Sequence, residues 1–135
     1  MAWIEPKTDW VASDYFNVDD YNRIIGNITH LKALAGDLFL KLTELPMGEE
    51  KTYLSLIYAR EMNNIENSLE VLNLETYGFD IGATTEYRAN GSTPLYTEFN
   101  RIESAILLLY KTMTSHKEAL PRLAFTLGGQ KGLKV

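Results

Sequence analysis

Glu66 and Glu70 stand four residues apart, with Glu61 close by. At that spacing carboxylates share one face of a helix, and such groups do acid–base work or bind a metal. On an otherwise polar face they read as solvated side chains, so no catalytic or metal-binding role is expected of them. The histidines are His30 and His116. Neither has a carboxylate three residues before it, so the Glu-x-x-His pairs of di-iron bundles are missing. His116 is expected at the end of a helix, where positive charge suits the dipole. Neither a Gly-x-Ser-x-Gly elbow nor a Walker loop occurs. "GGQKG" at Gly128–Gly132 is discounted as a phosphate loop because no helix follows it. Arg23 and Arg101 occupy matching sites in a repeat described below, and they are expected to pair weakly with carboxylates at the surface. The chain has no cysteine, which removes disulfides, thiolate metal sites and thiol nucleophiles. These residues point to no enzyme, no cofactor and no metal.

The bulk properties narrow the partners. A chain of 135 residues is expected to form one domain with a real core. It is 45% hydrophobic and 23% charged, ordinary for a globular protein. No apolar run approaches the ~18–20 residues of a membrane span. The opening "MAWIEPKTDW" lacks the basic start and apolar stretch of a secretory signal, so the acceptor-like tripeptides at Asn27 and Asn90 carry no weight. A net charge of −5 argues against a broad nucleic-acid surface. Neither nucleic acid nor membrane is an expected partner.

The elements that would position these residues come from a threefold internal repeat. "YNRI" (Tyr21–Ile24), "MNNI" (Met62–Ile65) and "FNRI" (Phe99–Ile102) align on Asn22, Asn63 and Asn100. Two residues after each asparagine stand Ile24, Ile65 and Ile102. Six after stand Ile28, Leu69 and Ile106, and nine after stand Leu31, Leu72 and Leu109. The alternating spacing of three and four is that of a helical seam. In the first copy the stripe continues through Ala35, Leu38, Leu42 and Leu45; in the third it reaches Met113 and His116.

Three amphipathic helices are therefore predicted. The first runs from Val18 to Leu45, capped by Asn17 with Asp19 and Asp20 in its first turn, and ends at Pro46. Gly26 and Gly36 weaken its interior. The second spans Ile57 to Leu74 and stops at "TYG". In the third, Thr93 caps, Pro94 opens the first turn, the helix reaches Ser115 or Lys117, and Pro121 closes it.

Upstream, "TDWVAS" (Thr8–Ser13) resembles "TEYRAN" (Thr85–Asn90), and "KTYLS" (Lys51–Ser55) is a fainter version. The unit is an extended arm with an aromatic anchor, a turn, then a helix. One stripe cannot bury itself alone, so the fold class is all-α: a three-helix bundle of related helices. Its boundaries are an extended N-terminal arm at 1–16, the bundle at 17–118 and an extended C-terminal tail at 119–135. Trp10 and Tyr87 are expected to fill grooves between helices. From the edge of the seam, Asn22, Asn63 and Asn100 could hydrogen-bond the backbone of an arriving arm; duplication alone would also explain them. The apolar arm residues Trp3, Ile4 and Trp10 and the tail residues Leu123, Phe125 and Leu127 are the candidate interaction residues. Each end can fold onto its own bundle or dock on a neighbouring subunit.

"PKTDWVASDYFNVDDYNRIIGNITHL" (Pro6–Leu31) resembles the opening of a set of small structural proteins encoded by phages and prophages of Gram-positive bacteria. Those chains share a "TDW…D.FN..DYNRI..NI..L" opening, later "E.N.IE.NL" and "NRIE" segments and a "LPRLAFTLGG"-like ending, matched here at Glu61–Leu69 (with Ser68 at the last asparagine position), Asn100–Glu103 and Leu120–Gly129. The resemblance implies a non-enzymatic tail or baseplate component, assembled in the bacterial cytoplasm into the virion. Its partners would be other virion structural proteins and further copies of itself. The alternative is a soluble helical module or regulator that grips one protein through an apolar helix face. A third reading, a small enzyme or metal protein on the Glu61, Glu66 and Glu70 face, would show as a metal-dependent melting shift.

Overall fold

The computed structural model describes residues 3–39, 42, 45, 59–88 and 94–129, with 121–129 described through their backbone alone. The helices are α1 (Val18–Leu38), α2 (Ala59–Leu74) and α3 (Tyr96–Gly129), and there is no strand among the described residues. The fold is an all-α three-helix bundle.

The repeat builds the core. Tyr21, Ile24, Ile28, Leu31 and Ala35 of α1 are buried against Met62, Ile65, Leu69 and Leu72 of α2. Phe99, Ile102, Ile106, Leu109 and Met113 of α3 complete the same cluster. Each fully buried Ile or Leu contributes roughly 1.5–3 kcal/mol, so the nine Ile and Leu positions among these residues supply most of the driving force for association of the helices.

The start of α1 is built as its sequence requires. The Asn17 side chain accepts the Asp20 N–H at 3.1 Å, and Asp20 Oδ2 accepts the Asn17 N–H at 3.0 Å, a reciprocal capping box. The end comes earlier than predicted, at Leu38 rather than Leu45. Phe39 turns extended (φ −126°, ψ 145°) while its N–H still bonds Ala35 O. Its ring meets Tyr77 and His116 edge-on, at centroid distances of 5.6 and 5.9 Å. That aromatic contact draws the chain off the helix axis. Leu42 and Leu45 still pack partly buried against the core.

The stop of α2 at Leu74 matches the expectation. Gly78 takes φ 65° and its N–H reaches Asn73 O at 2.7 Å, a left-handed cap that only glycine adopts cheaply. Residues 57–58, expected in the first turn of α2, lie outside the described residues.

α3 differs from expectation at both ends. The Glu98 and Phe99 N–H groups bond Leu95 O, so Leu95 caps the helix and Pro94 precedes it. The proposed cap Thr93 lies outside the described residues. At the other end the helix passes through Pro121 to Gly129, where closure at Pro121 and an extended tail over 119–135 were expected. Proline removes one helical hydrogen bond, but Ala, Leu, Lys, Glu and Arg dominate residues 117–124 and favour the helix. The side chains of Leu123, Phe125 and Leu127 lie outside the described residues, so their interaction role stays an expectation.

Candidate functional site

Two extended segments are bolted onto the bundle by side chains rather than by other strands. The first, residues 3–10, crosses α1 and α3. The Asn27 amide binds both main-chain groups of Ile4: it accepts the N–H at 3.0 Å and donates to the carbonyl at 2.7 Å. Asn100 does the same for Trp10, at 2.8 and 3.0 Å. Between them Glu103 Oε1 accepts the Lys7 N–H at 3.0 Å. Contacts at residues 4, 7 and 10 recur every third residue, the period of one edge of a polyproline-II helix.

Glu103 is the centre of this lock. It lies in α3, fully buried. Oε2 accepts the Trp10 indole N–H at 2.6 Å and an Arg23 guanidinium N–H at 2.7 Å; Oε1 accepts Arg23 Nε at 2.8 Å. Arg23 thus forks onto both oxygens, and it also donates to Asp20 Oδ1 at 2.8 Å. A buried carboxylate is tolerated only when paired and saturated in this way. Burial pulls the Arg23 pKa down, but the hydrogen bonds and charge of Glu103, and then of Asp20, outweigh it and raise the value. Asp20 therefore serves the helix cap and the lock together.

The second lock repeats the pattern between α2 and α3. Asn63 accepts the Tyr87 N–H at 2.7 Å and donates to its carbonyl at 2.8 Å. Three residues on, buried Glu66 accepts the Tyr87 hydroxyl at 2.8 Å and a guanidinium N–H of Arg101, both at Oε2. Burial, the Glu66 carboxylate and then Glu98 push the Tyr87 pKa well above the usual tyrosine range. Asn73 binds Phe79 through both main-chain groups, at 3.0 and 2.8 Å. Gly82, at φ 86°, lies against the Arg101 stem: a Cβ there would sit 2.7 Å from Arg101 Cδ. This lock is less saturated. Glu66 Oε1 is buried with no hydrogen-bond partner among the described residues, where its counterpart in Glu103 has two.

The locks obey one rule. An arm leading into a helix docks on the asparagine and glutamate of the preceding helix, counted cyclically: Trp10, before α1, docks on α3, and Tyr87, before α3, docks on α2. The arginine one residue after the next helix's own asparagine position closes the lock, Arg23 onto Glu103 and Arg101 onto Glu66. The third set is different in sequence. Ile25 occupies the glutamate position on α1, buried at 3% exposure, and Asn64 replaces the arginine on α2. Asn22 is half-buried. Its expected arm, residues 51–55, lies outside the described residues.

Several expectations are thereby corrected. Glu66 is not on a solvated face but buried in the second lock, and Glu61 is buried as well. Glu70 alone of the three is exposed, at an open groove of about 340 Å³ that it shares with Asp80 and Phe79. Arg23 and Arg101 are half-buried lock members rather than surface partners. His116 falls within α3, not at its end, with Nδ1 2.9 Å from the Tyr77 hydroxyl. His30 packs against Trp3, which stacks on Tyr110 with ring centroids 3.8 Å apart. Trp3 and Trp10 thus both pack on their own bundle, whereas Ile4 is 54% exposed. Glu103 is the functional residue that sequence reasoning passed over, although the shared Asn-x-x-Glu spacing of Asn63–Glu66 and Asn100–Glu103 marks it.

Chemically the clusters hold chain segments. Their carboxylates are matched by guanidinium groups, and their amides are engaged with main chain. Among the described residues no group of three or more His, Asp or Glu side chains could hold a metal ion. No described helix is long and apolar enough to cross a membrane. No protein-family model, curated protein or solved structure matches this chain.

Proposed function

We propose that this chain is a non-enzymatic virion structural protein, a tail or baseplate component of a phage or prophage of Gram-positive bacteria. It would assemble in the bacterial cytoplasm with other virion proteins and with copies of itself. One observation carries the reading. The residues through which the sequence resembles that set of proteins include those that form the lock: Trp10 of "TDW", Asp20 and Arg23 of "DYNRI", and Asn100 and Glu103 of "NRIE". A shared motif whose polar members hold an arm in place preserves a shape rather than a reaction, which suits an assembly part.

The test is the molar mass of the intact chain by light scattering over a range of concentrations, joined to mass spectrometry of purified phage particles. Discrete oligomers and presence in particles support the reading. A monomer at every concentration that is also missing from particles overturns it in favour of a soluble partner-binding module. Removing residues 121–135 supplies a second arm. The last buried core residue described in α3 is Met113, so the shortened chain should keep its helical content and lose assembly; a shortened chain that assembles normally would show that the tail is not a joint.

A further inference from the structure

We infer that the α1–α3 groove takes the arm of a second copy, so that residues 4–10 of one chain lock onto Asn27, Asn100 and Glu103 of its neighbour. This rests on the assembly reading above and names the joint.

Three observations support it. First, the arm is recognised as a peptide ligand is. Its main chain is gripped at Ile4, Lys7 and Trp10 by side chains of the helices, and no backbone-to-backbone bond ties it to α1 or α3 in the described residues. Any copy's arm would be read identically, since every contact is made with residues that all copies carry. Second, the grip is stronger than a tethered segment requires. A segment joined by a short linker faces its groove at a millimolar effective concentration, at which modest contacts suffice. Here a tryptophan buried to 3% exposure adds to bonds from two amides and a saturated carboxylate. Third, the connection between arm and α1 is an exposed hinge. Val11 through Tyr15 are exposed, Tyr15 at 90%. Among the described residues the hinge is folded back by the Val11–Asp14 turn bonds at 2.9 and 3.0 Å and by Lys7–Asp14 at 3.5 Å, and Phe16 at its end stacks on Phe99 with ring centroids 4.2 Å apart. Opened with Phe16 left in place, residues 11–15 span roughly 17 Å, enough to cross to an adjacent bundle whose helices are about 10 Å thick. Closed and exchanged forms contain the same lock contacts, so the crowding of copies in an assembly decides between them.

The absence of native cysteine allows a clean test. Isotopically heavy chains carrying Trp3→Cys are mixed with light chains carrying Tyr110→Cys, incubated at high concentration, and bridged with a short bismaleimide. Both positions are only partly buried and lie outside the lock, and circular dichroism checks that each variant remains helical. Arm exchange gives heavy–light dimers in several-fold excess over either homodimer, and adding Trp10→Ala to the heavy chain removes the excess. The inference is overturned if heavy–light dimers show no excess while the double variant in one chain bridges to itself as a monomer. If that second result comes with discrete oligomers by light scattering, assembly stands and only the joint is wrong.

Discussion

Glu103 and Trp10, 93 residues apart in sequence, meet through a 2.6 Å hydrogen bond from the indole to a fully buried carboxylate. This contact ties the first arm to the last helix. Because Arg23 and Lys7 fill the remaining acceptor sites of that carboxylate, the group has no room for a donor of its own.

That saturation separates two chemically identical substitutions. In Glu103→Gln the new amide NH2 faces existing donors in either orientation: Lys7 N–H and Arg23 Nε, or the Trp10 indole and the Arg23 fork. A donor opposed to donors in a buried pair should cost about 3–5 kcal/mol. In Glu66→Gln the amide oxygen can keep the Tyr87 and Arg101 bonds, with the NH2 placed where Oε1 now has no partner; the expected loss is about 1–2 kcal/mol. Denaturant unfolding measures both. The fluorescence of Trp10, isolated by Trp3→Phe, should shift to the red in Glu103→Gln as the arm loosens. Equal losses in the two variants would refute the assigned asymmetry.

Two glycines should respond in opposite directions. Gly82 stands at φ 86°, and an added Cβ meets the Arg101 stem. Gly82→Ala combines left-handed strain of about 1–3 kcal/mol with displacement of Arg101 from Glu66, so it should destabilise. Gly36 lies in α1 with nothing within 4 Å of a built Cβ. Gly36→Ala should stabilise by about 0.5–1 kcal/mol through helix propensity and a less flexible unfolded chain. Thermal and denaturant melts of the pair test both signs.

The tyrosines make the bundle sensitive to alkali. Tyr21, Tyr77 and Tyr87 have raised pKa values; burial is the first cause in each, joined by Glu61 at Tyr21 and by Glu66 at Tyr87. Each holds its proton more tightly when folded. Their contribution is therefore complete below the unfolded value of about 10 and is lost as pH rises toward and through the folded values. Unfolding free energy should fall with pH above about 10, and the slope should be shallower in Tyr87→Phe. At neutral pH that variant should lose about 1.5–3 kcal/mol, the worth of a hydrogen bond to a charged group. An unchanged alkaline slope would show that Tyr87 does not titrate differently on folding.

The sequence by itself determined the helices' buried faces and the anchors. The spacing of Ile24, Ile28 and Leu31, and of its two repeats, admits one apolar stripe per helix, and the structure buries those stripes together. The Asn17 cap and the Gly78 stop were legible because they depend on neighbours within a few residues. The roles of Asn63 and Asn100 were legible as a repeat. Tertiary structure alone decided which helix each arm meets, because a pattern of period three and four says nothing about partners in space. It decided that Glu66 and Glu103 are buried: their charge reads as surface until Arg23 and Arg101 are brought to them from other helices. It also decided where α1 ends. Local propensity near Gly36 is a matter of about 1 kcal/mol, and Phe39 packs against Tyr77 and His116, remote in the chain, a contact the local sequence does not reveal.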